Sequence, residues 1–253
     1  MNRIFIQLKR SFVVTKKNIK IYYLKGPVII FGLLLPFFLF LAYIIGRSMS
    51  IRELLPGLIS MTVFFTATSV GPSIMPWETR SRTLERLLCC PISVWAILLG
   101  DMISSFIFGL AISIIPLIST LILGVDILNF SVLLVGLILA AFCFSALSVL
   151  LSAYPPSDIP ATAMMLSTLV KFPLIFISGV FMPITQMPVW GKIIASFSPL
   201  TYFTDMARHL ILNCGYYPLL LDFAMIPIFT AIFLIASVRI HEKTLMKRIS
   251  LMG

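Results

Sequence analysis

Residues 78–93 read E-T-R-S-R-T-L-E-R-L-L-C-C-P-I-S, the longest charged interruption between two strongly apolar segments. Glu78, Arg80, Arg82, Glu85 and Arg86 mix both signs, Leu84, Leu87 and Leu88 recur at helical spacing, and Pro91 marks a stop before the next apolar run. The pattern predicts a short amphipathic helix lying across the aqueous face of a membrane. A solvated loop is the ordinary reading of a charged connection. It does not account for apolar residues gathered on one face of so short a helix.

Working outward, the composition agrees with a membrane setting. Of 253 residues 60% are hydrophobic and 11% charged, and the mean hydropathy is +1.09, which together describe an integral membrane protein rather than one or two soluble domains. The net charge of +10 does not point to nucleic acid, because seven of the nineteen Lys and Arg fall within 3–25 and four within 239–248. Those are membrane-flanking clusters. Cys89, Cys90, Cys143 and Cys214 have neither metal-ligand spacing nor the density of a disulfide scaffold. The basic N-terminal stretch lacks a small-residue cleavage site and does not read as a removable signal peptide.

Along the chain, residues 1–25 alternate Ile4, Phe5, Leu8, Phe12, Ile19, Tyr22 and Tyr23 with basic residues, the pattern of an amphipathic helix flat on an anionic leaflet. Six apolar segments follow, at 27–46, 54–77, 94–123, 130–153, 161–181 and 219–238. Pro56, Gly57, Gly71 and Pro72 predict a kink in the second, and small residues in the fourth permit close packing. Residues 154–160 form a Pro-rich turn, expected as a smaller cytoplasmic contact. Residues 182–217 are broken by Pro183, Pro188 and Pro199 and read as two short helices in the outer interface, anchored by Trp190 and Tyr202. Residues 239–253 form a basic tail. The expected fold is an all-α membrane protein of six spans with both termini on one side. Fourteen Lys and Arg fall on that side and four on the other, which makes it cytoplasmic.

Lys171 lies mid-span in the fifth segment, where an ammonium in hydrocarbon costs on the order of 3 kcal/mol. It must face protein or water, or snorkel, and an anionic headgroup or substrate and a local acid or backbone carbonyl are the partners to weigh. Asp101 and Asp222 stand near predicted span ends, where solvation is the simpler expectation, and Asp205 and Arg208 are expected as a local i, i+3 pair. His209 and His241 fall outside the predicted spans without a ligand set, so no metal is expected.

Three motifs in order resemble one family: R-T-L-E-R-L-L-C-C-P-I-S at 82–93, S-G-V-F-M-P-I-T-Q-M-P-V-W at 178–190, and F-S-P-L-T-Y-F-T-D-M-A-R at 197–208. They are similar to the membrane permease subunits of type-2 ATP-binding-cassette (ABC) exporters, with Arg82 standing where the family often has Gly. The resemblance implies a single transmembrane domain over 1–253, a coupling helix at 78–93 between spans two and three that docks in a cleft of a separate ATPase subunit, and an outer re-entrant segment at 182–217. It implies ATPase contact through Arg82, Leu84, Glu85, Arg86, Leu87, Leu88 and Pro91, a second contact from the N-terminal helix, and a homodimer or heterodimer of permeases around the substrate path. Lys171 is the candidate residue of that path.

The chain's own Gly-Lys pair, Gly191-Lys192, has Gln186 five positions earlier and is followed by Ile193, so it is not a phosphate-binding loop. ATP hydrolysis is therefore expected in a partner, with no cofactor here. The expected role is export of a hydrophobic or amphipathic substrate from the plasma membrane's inner side. An intramembrane enzyme would need clustered His, Ser or acids at membrane depth. An ion-coupled transporter would favour paired intramembrane acids and an inverted repeat; neither is evident.

Overall fold

Backbone N–H and C=O groups in hydrocarbon must be bonded within their own segment, and a single apolar run achieves this as a helix. The computed structural model describes residues 2–23, 34–45, 51–122, 124, 127–153 and 159–250, and among them every regular element is helical, with no strand. Helix α1 spans Asn2–Asn18 and continues as a π-helical turn over Ile19–Tyr23, followed by α2 at Leu35–Ile44, α3 at Ile51–Ala67, α4 at Gly71–Arg80 and α5 at Thr83–Cys89. Next come α6 at Val94–Ile122, α7 at Phe130–Ser152, α8 at Pro160–Ile177, α9 at Val189–Ala195, α10 at Pro199–Leu212 and α11 at Leu219–Ser250. Among the described residues five helical stretches are long and apolar enough to cross a membrane: Arg52–Arg80, Val94–Ile122, Phe130–Ser152, Pro160–Ile177 and Leu219–Thr244. Of the expected first span, residues 27–33 and 46 lie outside the described residues, as do Arg47, Asp126, 154–158 and the last three residues of the tail.

The α3–α4 stretch is the centre of the bundle: 94% of its membrane-length window is buried, against 17% for α11. It is also rich in hydroxyls, most of which are buried while bonding a carbonyl three or four residues earlier in the chain. Ser60, Thr66 and Thr68 donate to Pro56, Thr62 and Phe64 O, each at 2.7 Å. Phe64 of α3 meets Phe144 of α7 edge-on at 5.1 Å, and Phe144 in turn meets Phe203 of α10 at 6.4 Å. The kink expected in the second span is a full interruption at 68–70. Past it, Gly71 lets α4 lie against α7, since a Cβ there would come within 2.2 Å of Ser148 Oγ.

Three expectations need correction. Helix α10 does not lie loosely on the bundle but is inserted into it: Leu200, Phe203, Met206 and Ala207 are wholly buried against α3, α7 and α11. Tyr202, expected as an interfacial anchor, is buried with its hydroxyl donating to Ser196 O at 2.9 Å, whereas Trp190 is exposed. The last helix does not stop at Val238. It runs on to Ser250, so His241 lies within it, buried between Ser152 Oγ at 3.1 Å and Ser237 O at 2.8 Å.

Candidate functional site

The charged stretch folds as an elbow rather than one helix over 78–93. Helix α4 carries Glu78 and ends at Arg80, the chain turns through Ser81 and Arg82, and α5 occupies seven residues, Thr83–Cys89. The turn is held by Ser81 N donating to Trp77 O at 2.9 Å and Arg82 N donating to Thr79 O at 3.1 Å. Arg82 adopts φ 55°, ψ 21°, the left-handed region where glycine is at ease. Its departure from the family's Gly therefore falls on a position whose backbone is glycine-like.

The leucines expected to anchor a partner serve this chain first. Leu84 is 0% exposed among Met75, Ile97, Leu98, Met102, Ala146 and Val149, and Leu87 and Leu88 pack half-buried on the same cluster. A helix of two turns needs such a root, because without it the segment would not hold its shape in water. Arg82, Arg86 and Pro91 stand exposed and Glu85 half-buried, leaving a small face of mixed charge on the elbow's outer side.

Helix α1 is stitched to this elbow and to α6 in part by Gln7, Thr15 and Asn18, side chains the sequence reading did not single out. Gln7 Nε2 donates to Pro91 O at 3.1 Å, while Gln7 Oε1 accepts from Ser93 N at 3.0 Å and from Ser93 Oγ at 3.2 Å. One turn of chemistry further on, Thr15 Oγ1 donates to Gly100 O at 3.1 Å and Asn18 Nδ2 donates to Asp101 Oδ1 at 2.6 Å. Lys17 pairs with the wholly buried Glu78, Tyr22 stacks on Trp77 at 5.4 Å, and Tyr23 and Ser105 share a hydroxyl hydrogen bond of 2.7 Å. Burial pushes the phenol of Tyr23 well above its usual range, so it stays neutral in this contact. Asp101, expected to be solvated near a headgroup, is instead 2% exposed and bonded to Asn18.

This inward face reverses the simple picture of the amphipathic helix. Ile4, Phe5 and Phe12 point away from the protein, and Ser11, Val14, Thr15 and Asn18 point into it. The fit against α6 is close because residue 100 is glycine; a Cβ there would meet Val14 Cβ at 2.7 Å and Ser11 O at 2.8 Å. The signal available in the sequence was the polar series Ser11, Thr15, Asn18 at i, i+4, i+7, together with a Gly-Asp pair inside an apolar run.

Lys171 lies at the opposite side of the same interruption that bends the central stretch. In an unbroken helix Thr68 O would accept from the N–H of residue 72, but residue 72 is proline and has none. Lys171 Nζ takes that place, donating to Thr68 O at 2.6 Å while the side chain is 5% exposed. Of the partners weighed from sequence, the backbone carbonyl is the one found. Beside the ammonium lies a cavity of about 420 Å³ lined by Phe65, Ser69, Met164, Ser167, Thr168 and Phe172.

On the other side of the bundle Asp205 accepts from Tyr216 N at 2.9 Å and Tyr217 N at 2.8 Å, and Arg208 Nη2 donates to Gly179 O at 2.8 Å. Burial pushes the Asp205 carboxyl up, against the two backbone donors and Arg208, which hold it down. The pair expected at i, i+3 thus fastens two different loops onto α10. Asp222, expected at a solvated span end, is 0% exposed, and neither of its carboxylate oxygens has a hydrogen-bond partner among the described residues.

Two sets of relatives can be placed beside this architecture. A probable multidrug ABC transporter permease of Escherichia coli, YbhR, is 28% identical over 169 residues, covering 62% of this chain and 43% of its own length. The inner membrane transport permease YadH of Escherichia coli is 25% identical over 183 residues, 71% of this chain and 70% of its own, and its Shigella flexneri counterpart matches equally. The chain thus spans less than half the length of the first of these relatives. The family model for ABC-2 type transporters matches residues 2–212, which takes in α1, the elbow, the interrupted central stretch and the buried α10, and on that match this multi-pass membrane chain belongs to the ABC-2 type transporter family.

Proposed function

We propose that this chain is the membrane permease half of an ATP-driven exporter, with six spans, both termini cytoplasmic and two permeases, identical or related, enclosing the substrate path. Subunits of this family leave ATP hydrolysis to a partner, and the contact with that partner is assigned to the elbow through Arg82, Glu85, Arg86 and Pro91, with α1 alongside. The observation that carries this reading is the Gln7 clamp on Pro91 and Ser93. It makes α1 and the elbow one body rooted by Leu84 at the base of α6. A push on the exposed charged face is then delivered to the spans instead of being lost in a loose loop.

The distribution of Lys and Arg supports the cytoplasmic placement of that body. The relative YbhR is described as a probable multidrug permease, and a hydrophobic or amphipathic substrate moved by alternating access suits a path at the level of Lys171. The test is co-purification with a candidate ATPase subunit encoded beside the chain, comparing complex recovery and ATPase rate for the native permease with Glu85→Ala and Arg86→Ala. Loss of recovery or of coupling in these variants, with the spans still folded, is expected. If the ATPase subunit does not bind the native chain, the exporter reading loses its energy source and an ion-coupled transporter takes its place.

A further inference from the structure

Among the described residues Lys171 has a backbone partner but not a counter-ion. An ammonium carries three N–H donors, and among the described residues one of them is used, by Thr68 O at 2.6 Å. The cavity beside it gives the other donors somewhere to point. Its hydroxyls are already committed: Ser69 Oγ donates to Thr66 O at 2.8 Å, while Ser167 Oγ and Thr168 Oγ1 donate to Met164 O at 2.8 and 2.7 Å. Among the described residues the ammonium is thus the cavity's source of spare donors and of charge, and the rest of the lining is phenyl rings, thioethers and the methyl of Ala161. A cation is repelled by such a site, and a neutral ligand leaves the buried charge uncompensated. An anionic group on a hydrocarbon body satisfies both parts.

Size narrows the class further. About 420 Å³ lies in the range of about 300–1,000 Å³ that holds small organic molecules, and it is too narrow for both chains of a bilayer phospholipid. A second cavity of about 280 Å³ shares Ala161 and Met164 with the first and follows α4 past Val70 and Trp77 to Arg80 at its far end, so one tail can lie along the helix as far as Trp77. Met165 on the cavity's outer wall is 76% exposed, which gives entry from the side of the bundle. We propose that the Lys171 cavity binds the anionic group of a single-chain amphipathic molecule, the ammonium serving as its counter-ion, and that molecules of this class are what the transporter moves. The last clause rests on the permease reading; the binding site does not.

The test uses the full chain in nanodiscs of zwitterionic phosphatidylcholine and radiolabelled dodecyl phosphate, with dodecanol and dodecyltrimethylammonium as competitors. Saturable binding is expected, with either competitor about tenfold weaker or worse. Lys171→Met should weaken dodecyl phosphate binding by about tenfold or more, and Lys171→Arg should retain it. Thr168→Phe, which fills the cavity and leaves the Lys171–Thr68 bond in place, should abolish binding with an unchanged melting midpoint, and decides the matter if Lys171→Met does not fold. Equal binding by native chain and Lys171→Met, full competition by dodecanol, or native binding in Thr168→Phe would each overturn the site. Displacement by phosphatidylglycerol added to the nanodiscs would make it a bilayer-lipid site and overturn the substrate assignment. With the partner ATPase present, dodecyl phosphate should raise ATP turnover. An intact binding site without any ATPase association sinks the exporter reading alone, and a coupled ATPase without dodecyl phosphate binding sinks the anion site alone.

Discussion

Arg82 turns the chain at the elbow with φ 55°, a conformation that costs a residue bearing a Cβ about 1–2 kcal/mol and glycine almost nothing. Arg82→Gly and Arg82→Ala both remove the guanidinium, and the glycine variant alone relieves the backbone. The glycine variant should therefore be more stable than the alanine variant by about 1 kcal/mol, seen as a higher melting midpoint of the purified chain. Equal midpoints would mean that the turn relaxes to an ordinary conformation at no cost. Lys17 presents a different single-residue question. It is the partner of Glu78, whose carboxylate is wholly buried and whose Oε2 has no hydrogen bond among the described residues. Lys17→Met leaves that charge without compensation, a loss on the order of 3 kcal/mol for a buried pair and less here because the lysine is part-exposed. Adding Glu78→Gln should restore much of the lost stability, and the double-mutant cycle measures how much of the effect belongs to the pair.

At the scale of elements, the seam between α1 and α6 depends on the missing side chain at Gly100. With Val14 Cβ and Ser11 O both under 3 Å from where a Cβ would sit, neither neighbour is the free end of a flexible chain, so Gly100→Leu must push the helices apart. Tryptic cleavage after Lys16 and Lys17 should then be much faster than in the native chain, and Gly100→Ala should lie between the two. An unchanged cleavage rate in the leucine variant would show that α1 is held by its membrane-facing apolar residues and not by α6. The seam also shows what the sequence could and could not convey. Apolar runs long enough to span, the break near Gly71-Pro72 and the charged amphipathic stretch after it were legible, because each is written in consecutive residues; that this stretch bends at Ser81 and Arg82 was not. Burial of Asp101, the inward polar face of α1 and the insertion of α10 were not. Hydropathy ranks how well a segment tolerates hydrocarbon, whereas these depend on partners such as Asn18 and Asp101, 83 positions apart. Arg82 and Arg86 were readable as exposed charges; that Leu84 roots the elbow in its own chain was decided by Ile97 and Ala146 on other helices.

At the scale of the whole molecule, the position of Gln7 bears on how force crosses from the aqueous side to the spans. Its amide holds Pro91 and Ser93 at once, so α1, the elbow and the start of α6 share one set of hydrogen bonds and should travel together when an ATPase subunit moves against them. Gln7→Cys with Ser93→Cys, in a background where the exposed Cys89, Cys90 and Cys214 are changed to serine, allows a short bismaleimide to fix that geometry covalently. Reconstituted with its ATPase, the cross-linked permease should keep the ATP turnover of the uncross-linked double variant, because the link joins parts that already move as one. Gln7→Ala, which removes three hydrogen bonds without adding a link, should lower coupling severalfold while ATPase recovery stays near native. If cross-linking instead stops turnover, α1 slides along the elbow during the cycle. The clamp would then mark one end of that motion, with Gln7 releasing Ser93 each time the nucleotide-binding halves close.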